Sequence, residues 1–157
     1  MEFTGSQTIA ATREQVWKGL NDPAVLQACV PGCEEFIGES DDEYKAVVVA
    51  KVGPVKARFK GTLVISDRDG PKGYKILGQG EGGIAGFGKM TATVTLTDAE
   101  DGGTQLAYVA EAQVGGKLAQ IGSRLVTSVA NKLAAEFFTR FNATMSAPAS
   151  ADALASE

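Results

Sequence analysis

Any chemistry in this chain must be done without histidine, because its 157 residues contain none. That removes the usual near-neutral acid or base, the usual activator of serine and cysteine nucleophiles, and the common imidazole ligand of zinc and iron. The two cysteines, Cys29 and Cys33, enclose Val30-Pro31-Gly32 in the segment CVPGC. Two thiolates do not complete a structural zinc site, and three intervening residues do not match the CxxC redox spacing. Cys29 is expected as a small core residue and Cys33 as partly exposed beside the turn, without a disulfide in a reducing compartment. Carboxylates gather in the segments Ser40–Glu43, Asp67–Asp69 and Asp98–Asp101, which read as solvated turns and not as acid-base pairs. No catalytic residue and no metal ligand is therefore assigned, and the chain is not read as an enzyme.

The segment GQGEGGIAGFG, Gly78 to Gly88, resembles a phosphate loop superficially. No GKS or GKT follows it, and no strand-turn-helix context surrounds it. Its glycines permit bends, bulges and close approach of the backbone to a second layer; a cavity lid or partner-contact loop is the alternative. The remaining candidates are apolar. Phe59, Leu63, Tyr74, Phe87 and Tyr108 lie on strand patterns, while Leu118, Ile121, Gly122, Leu125 and Val129 lie on a helical one. They either fill a core or line an apolar pocket in which Tyr74 or Tyr108 offers a polar handle for a carbonyl or hydroxyl. Gly122 costs about 1 kcal/mol relative to alanine inside a helix, so it calls for a packing or ligand reason.

The elements that hold these residues follow from periodicity. Phe3, Gly5, Gln7 and Ile9 alternate as a first strand. Thr12 with Gln15 forms a capping box for a short helix, and Asp22-Pro23 starts a second that Pro31-Gly32 stops. From Glu34 the period is two. Tyr44 to Lys51, Val55 to Ile65, Tyr74 to Gly78, Met90 to Thr97 and Thr104 to Val114 alternate wet and dry, which describes an antiparallel sheet covered on one side. Strand six is expected from Met90, or less naturally from Phe87, with turns at DRDGPK and DAEDGG. After Gly115-Gly116 the stripe Leu118, Ile121, Leu125, Val129, Leu133, Phe137 and Phe141 predicts one helix from Lys117 to Met145, long enough to cross a strongly bent sheet. The fold class is α+β, with the sheet wrapped around that helix. Residues 1–146 form this one ligand-binding domain, and 147–157 (APASADALASE) are expected to be a disordered tail.

The net charge of −4 argues against nucleic acid as a partner. Lys45, Lys51, Lys56, Arg58 and Lys60 are read as a solvated sheet face. The first residues lack a basic start and an apolar run, and no stretch reaches the ~20 apolar residues of a membrane span. A cytoplasmic location is expected.

In their order and spacing, DPAVLQACVPGCE, VVVAKVGPVKARFKG, GQGEGGIAGFGKMTATVTL and AQVGGKLAQIGSRL resemble the carbon monoxide dehydrogenase CoxG family across Phe3 to Phe141. The resemblance implies the helix-grip fold shared with START-like and polyketide-cyclase-like binders of hydrophobes. It also implies a noncatalytic accessory protein of a molybdenum hydroxylase of the carbon monoxide dehydrogenase type. Such a protein has no intrinsic cofactor, carries a hydrophobic small molecule, a quinone, in its cavity, and helps recruit the enzyme to the inner face of the cytoplasmic membrane. Members often have a basic or apolar C-terminal extension, whereas this chain ends in SAPASADALASE, so direct anchoring is not expected, and transient peripheral contact or recruitment through the partner are the alternatives. The alternatives are a recruitment factor without a ligand, or a small-molecule enzyme of the wider superfamily. On the ligand reading, the quinone is expected between Phe59 and Tyr108 on the sheet and Ile121, Leu125 and Val129 on the helix.

Overall fold

The computed structural model describes residues 1–146, so the expectation of a disordered tail lies outside the described residues. Strand β1 (Glu2–Ile9) is followed by helices α1 (Arg13–Leu20) and α2 (Pro23–Cys29). Six strands come next: β2 (Cys33–Ser40), β3 (Glu43–Val52), β4 (Val55–Asp69), β5 (Gly73–Glu81), β6 (Phe87–Asp98) and β7 (Thr104–Gly115). A one-turn helix α3 (Lys117–Gln120) and the long helix α4 (Ser123–Ser146) complete the described chain. The sheet order is β1-β7-β6-β5-β4-β3-β2, antiparallel throughout. It is a strongly bent sheet wrapped around α4, the helix-grip arrangement.

The local signals act as their chemistry dictates. The Thr12 side chain accepts from the Gln15 amide at 3.2 Å while the Thr12 amide donates to the Gln15 side-chain oxygen at 3.0 Å, which satisfies two donors that the helix leaves free. Asp22 accepts from the Ala24 amide at 3.0 Å, with Pro23 in the first helical turn. Replacing Thr12 with alanine is expected to cost about 1 kcal/mol, read as a lower urea midpoint at unchanged slope. Lys45, Lys51, Lys56, Arg58 and Lys60 are all exposed on the outer face, and Arg58 pairs with Glu34 at 3.1 Å.

Three boundaries differ from the sequence expectation, the first being that β4 runs through Asp69, so that Asp67–Asp69 end the strand and do not form the turn. Strand β6 begins at Phe87, where Phe87 pairs with both Glu81 and Gly115. The final helix is not continuous: Gly122 has φ of 99°, a left-handed value that an α-helix cannot contain. The chain therefore breaks between α3 and α4, and the expected cost of glycine inside a helix does not arise.

The antiparallel register sorts the turns to two ends. At one end lie α1, α2 and the acidic turns. At the other lie Gly53-Pro54, the Gly82–Gly86 turn, Gly115-Gly116 and the α3–α4 break. The packed core occupies the first end, where Ile9, Val16, Leu96, Leu106 and Phe141 are each 2 % exposed or less.

Candidate functional site

Side-chain size along the inner sheet face determines where space remains. Directly paired antiparallel residues share a face, so the register defines transverse rows. Nearest the packed end, Leu96 pairs with Leu106, and the next row is Tyr74, Val94 and Tyr108. Ile65, Ile76, Ala92 and Ala110 follow, then Leu63, Gly78, Met90 and Ala112. The last row crosses β4, β5 and β6 as Gly61, Gly80 and Gly88. Bulk falls from leucine and tyrosine to bare backbone, while α4 continues above.

Over the middle rows lies a cavity of about 470 Å³ with almost wholly apolar walls, partly open to solvent, within the usual size range of small-molecule sites. Helix α4 faces it with Ala130, Asn131, Leu133, Ala134, Phe137 and Phe138. Leu20, Leu26 and Phe36 close the side beneath α1 and α2. An aromatic series stiffens the wall: Tyr108 stacks on Phe138 at 5.7 Å, Phe138 meets Phe137 edge-on at 5.1 Å, and Phe137 stacks on Phe141 at 5.6 Å. At the inner end Trp17 meets Tyr74 edge-on at 5.3 Å.

Of the residues singled out from the sequence, Leu63, Tyr74 and Tyr108 line this cavity. Phe59 shares the inner face with Val48, its partner in β3, but its ring leans onto Gly82 beyond the cavity. Phe87 has the parity of Lys89 and Thr91, so it lies on the outer face, 45 % exposed, with its ring over Gly115. Leu118 is buried in α3, Ile121 is half-buried at its end, and Gly122 is the break itself. Leu125 is 37 % exposed and packs over Gly53. Val129 is half-buried but does not reach the void. Helix α4 brings Ala130, Leu133, Ala134, Phe137 and Phe138 to the void, while Leu125 and Val129, nearer its first turn, do not reach it. The expected grouping of Phe59 and Tyr108 with Ile121, Leu125 and Val129 is therefore replaced at the cavity by Tyr108 with Ala134 and Phe138.

Several wall residues were not singled out from sequence: Phe3, Phe36, Tyr44, Ile76 and Asn131. Row parity would have found Tyr44 and Ile76, since both alternate in phase with known inner positions. Phe36 and Asn131 depend on how far the sheet edge and the helix approach each other, which no local pattern encodes.

Among the described residues no three His, Cys, Asp or Glu side chains are placed to hold a metal. Both cysteines are free, Cys29 buried and Cys33 half-buried, and burial raises the Cys33 thiol pKa against a smaller opposing effect from the Glu35 carbonyl. A raised thiol pKa disfavours the nucleophilic thiolate. Burial, then the neighbouring Tyr44, push the Tyr74 phenol upward, with Arg68 opposing. It is a neutral donor at physiological pH. What the site offers is apolar surface with a few hydroxyl and amide groups, suited to holding a hydrophobic molecule.

The comparisons agree with this geometry. The sequence pattern of the carbon monoxide dehydrogenase CoxG family matches residues 5–146. A conserved protein from Geobacillus kaustophilus, known by its crystal structure, is 34 % identical, with 94 % of this chain and 97 % of that one aligned and a TM-score of 0.88. At 12 % identity, the Zhui aromatase/cyclase from Streptomyces sp. R1128 shares the fold with a TM-score of 0.71, over 95 % of each chain. A protein from Chromobacterium violaceum does so at 14 % identity and the same TM-score, over 92 % of this chain and 97 % of its own. No curated protein sequence matches the chain. No helix among the described residues is long and apolar enough to cross a membrane.

Proposed function

Because the chain belongs to the carbon monoxide dehydrogenase CoxG family, we propose that it is a noncatalytic accessory protein of a molybdenum hydroxylase of the carbon monoxide dehydrogenase type, and that its cavity carries a quinone. On this reading it couples or recruits the enzyme to the inner face of the cytoplasmic membrane. The catalytic metals belong to the partner.

The observation that supports this most is the cavity: about 470 Å³ of apolar space, partly open to solvent, in a protein of this size. Filling it with side chains would gain dispersion and exclude water, so a void of this kind favours an apolar guest. A quinone fits the donor set. Its ring can lie against the aromatic wall of Tyr108 and Phe138, a carbonyl oxygen can accept from a tyrosine hydroxyl, and its tail can leave toward solvent. When bound, a quinone supplies two-electron, two-proton carrier chemistry. The chain's own residues orient the ring and keep water from it.

The test is native mass spectrometry with solvent extraction of protein purified without harsh detergent. A stoichiometric isoprenoid quinone is the expected result. Protein that is ligand-free and that also fails to take up added decylubiquinone would leave recruitment without a ligand as its role.

A further inference from the structure

At the inner end of the cavity the protein presents a hydroxyl that it does not itself use. Tyr74 is 6 % exposed, its ring is fixed against Trp17, and it lines the void. The polar groups around it are committed to one another. Tyr44 Oη donates to the Asn21 carbonyl at 3.3 Å, Asn21 Nδ2 donates to the Trp17 carbonyl at 2.9 Å, and Arg68 binds Asn21 Oδ1 and Asp42. The Tyr74 hydroxyl has no protein partner in this network. Among the described residues no sealed side-chain nitrogen or oxygen lacks a partner, so the unpartnered Tyr74 hydroxyl is not sealed in the packed core and, on a residue that lines the void, is free to donate.

Tyr108 differs in this respect. It is half-buried, and its hydroxyl lies over Gly5 on the edge strand β1. Its ring, and not its oxygen, forms wall. The cavity thus has a polar point at its inner end and bare glycine backbone, Gly61, Gly80 and Gly88, beyond its outer end.

We propose that Tyr74 Oη is the anchoring donor of the cavity, giving its hydrogen bond to the carbonyl oxygen of an apolar quinone or ketone that enters ring first, with its tail lying toward the glycine row. This assignment rests on the ligand-binding function proposed above and adds a direction to it. It also selects a ligand class, elongated molecules with an acceptor oxygen at the leading end, over pure hydrocarbons of the same shape.

Two probes titrated into the full-length protein test it: decylubiquinone, followed by quenching of the lone Trp17, and the oxygen-free diphenylhexatriene, followed by its own emission. Tyr74→Phe is expected to weaken decylubiquinone about threefold to tenfold, the value of one hydrogen bond, and to leave diphenylhexatriene unchanged. The infrared carbonyl stretch of the bound quinone should rise toward its value in alkane. The thermal midpoint should hold, because no protein hydrogen bond is removed, and Tyr108→Phe should leave the quinone carbonyl stretch where it is. Unchanged quinone affinity and carbonyl stretch in folded Tyr74→Phe would overturn the assignment, as would equal weakening of both probes. Wild-type protein that binds only diphenylhexatriene would retain a ligand cavity but refute Tyr74 as its anchor, and protein that binds neither probe would refute the ligand reading itself.

Discussion

Ala134→Phe is expected to keep the protein folded and to weaken decylubiquinone binding at least tenfold. Ala134 lies on the face of α4 that lines the cavity, as Ala92 and Ala110 do from the sheet. A phenylalanine there costs no backbone strain, since the position is mid-helix and the helix penalty relative to alanine is only about 0.5 kcal/mol. In a close-packed core the added ring would force overpacking of roughly 1–3 kcal/mol. Into a void of about 470 Å³ it brings apolar surface that leaves water, which offsets the helix penalty. Stability should therefore move little while the guest loses its room. Urea denaturation and quenching of Trp17 by decylubiquinone, measured on the same preparation, separate the two effects. A folded variant with wild-type affinity would place the ligand elsewhere.

The opposite substitution at the opposite end should do the opposite. Phe141 is fully buried, stacks on Phe137 and packs beside Gly19 of α1. It joins Ile9, Val16, Leu20, Leu96 and Leu106 in the solid part of the interior. Phe141→Ala removes a ring that neighbouring side chains cannot replace, with an expected loss of about 3–5 kcal/mol. Set against a typical total stability of roughly 5–15 kcal/mol, that loss makes the urea midpoint fall sharply at unchanged slope. A loss below about 1 kcal/mol would mean that the packed end is as loose as the cavity. Together the two variants distinguish space the protein keeps from space it fills.

Much of this architecture is written locally. The capping box at Thr12, the Asp22-Pro23 start and the period-two runs of β3 and β4 each depend on neighbours a few residues apart, and those elements were legible. The site was legible only in part. Tyr74, Tyr108 and Leu63 alternate with their strands and could be placed on the inner face by counting. Leu125 and Val129 share a stripe with Leu133 and Phe137, which do line the cavity, and periodicity alone does not say how far along α4 the cavity extends. Nor could the glycine row be seen. Gly61, Gly80 and Gly88 are far apart along the chain, and only the pairing of three strands brings them into one row. Phe87 looked like core by composition and is outward by parity, a one-residue distinction that rests on where β6 begins.

The sheet order has a kinetic consequence. Strand β1 is an edge strand whose one neighbour is β7, and Met1 donates to the carbonyl of Ala112, 111 positions away. As the chain emerges from the ribosome at roughly 5–20 residues per second, β1 stays unpaired for seconds, while the β2 to β7 meander can zip hairpin by hairpin. Closing so large a loop comes late and slowly. Until then the edge of β7 is open to the β1 of another nascent chain, so exchanged dimers are the misfolding product this topology favours, and they should become more abundant as the folding concentration rises.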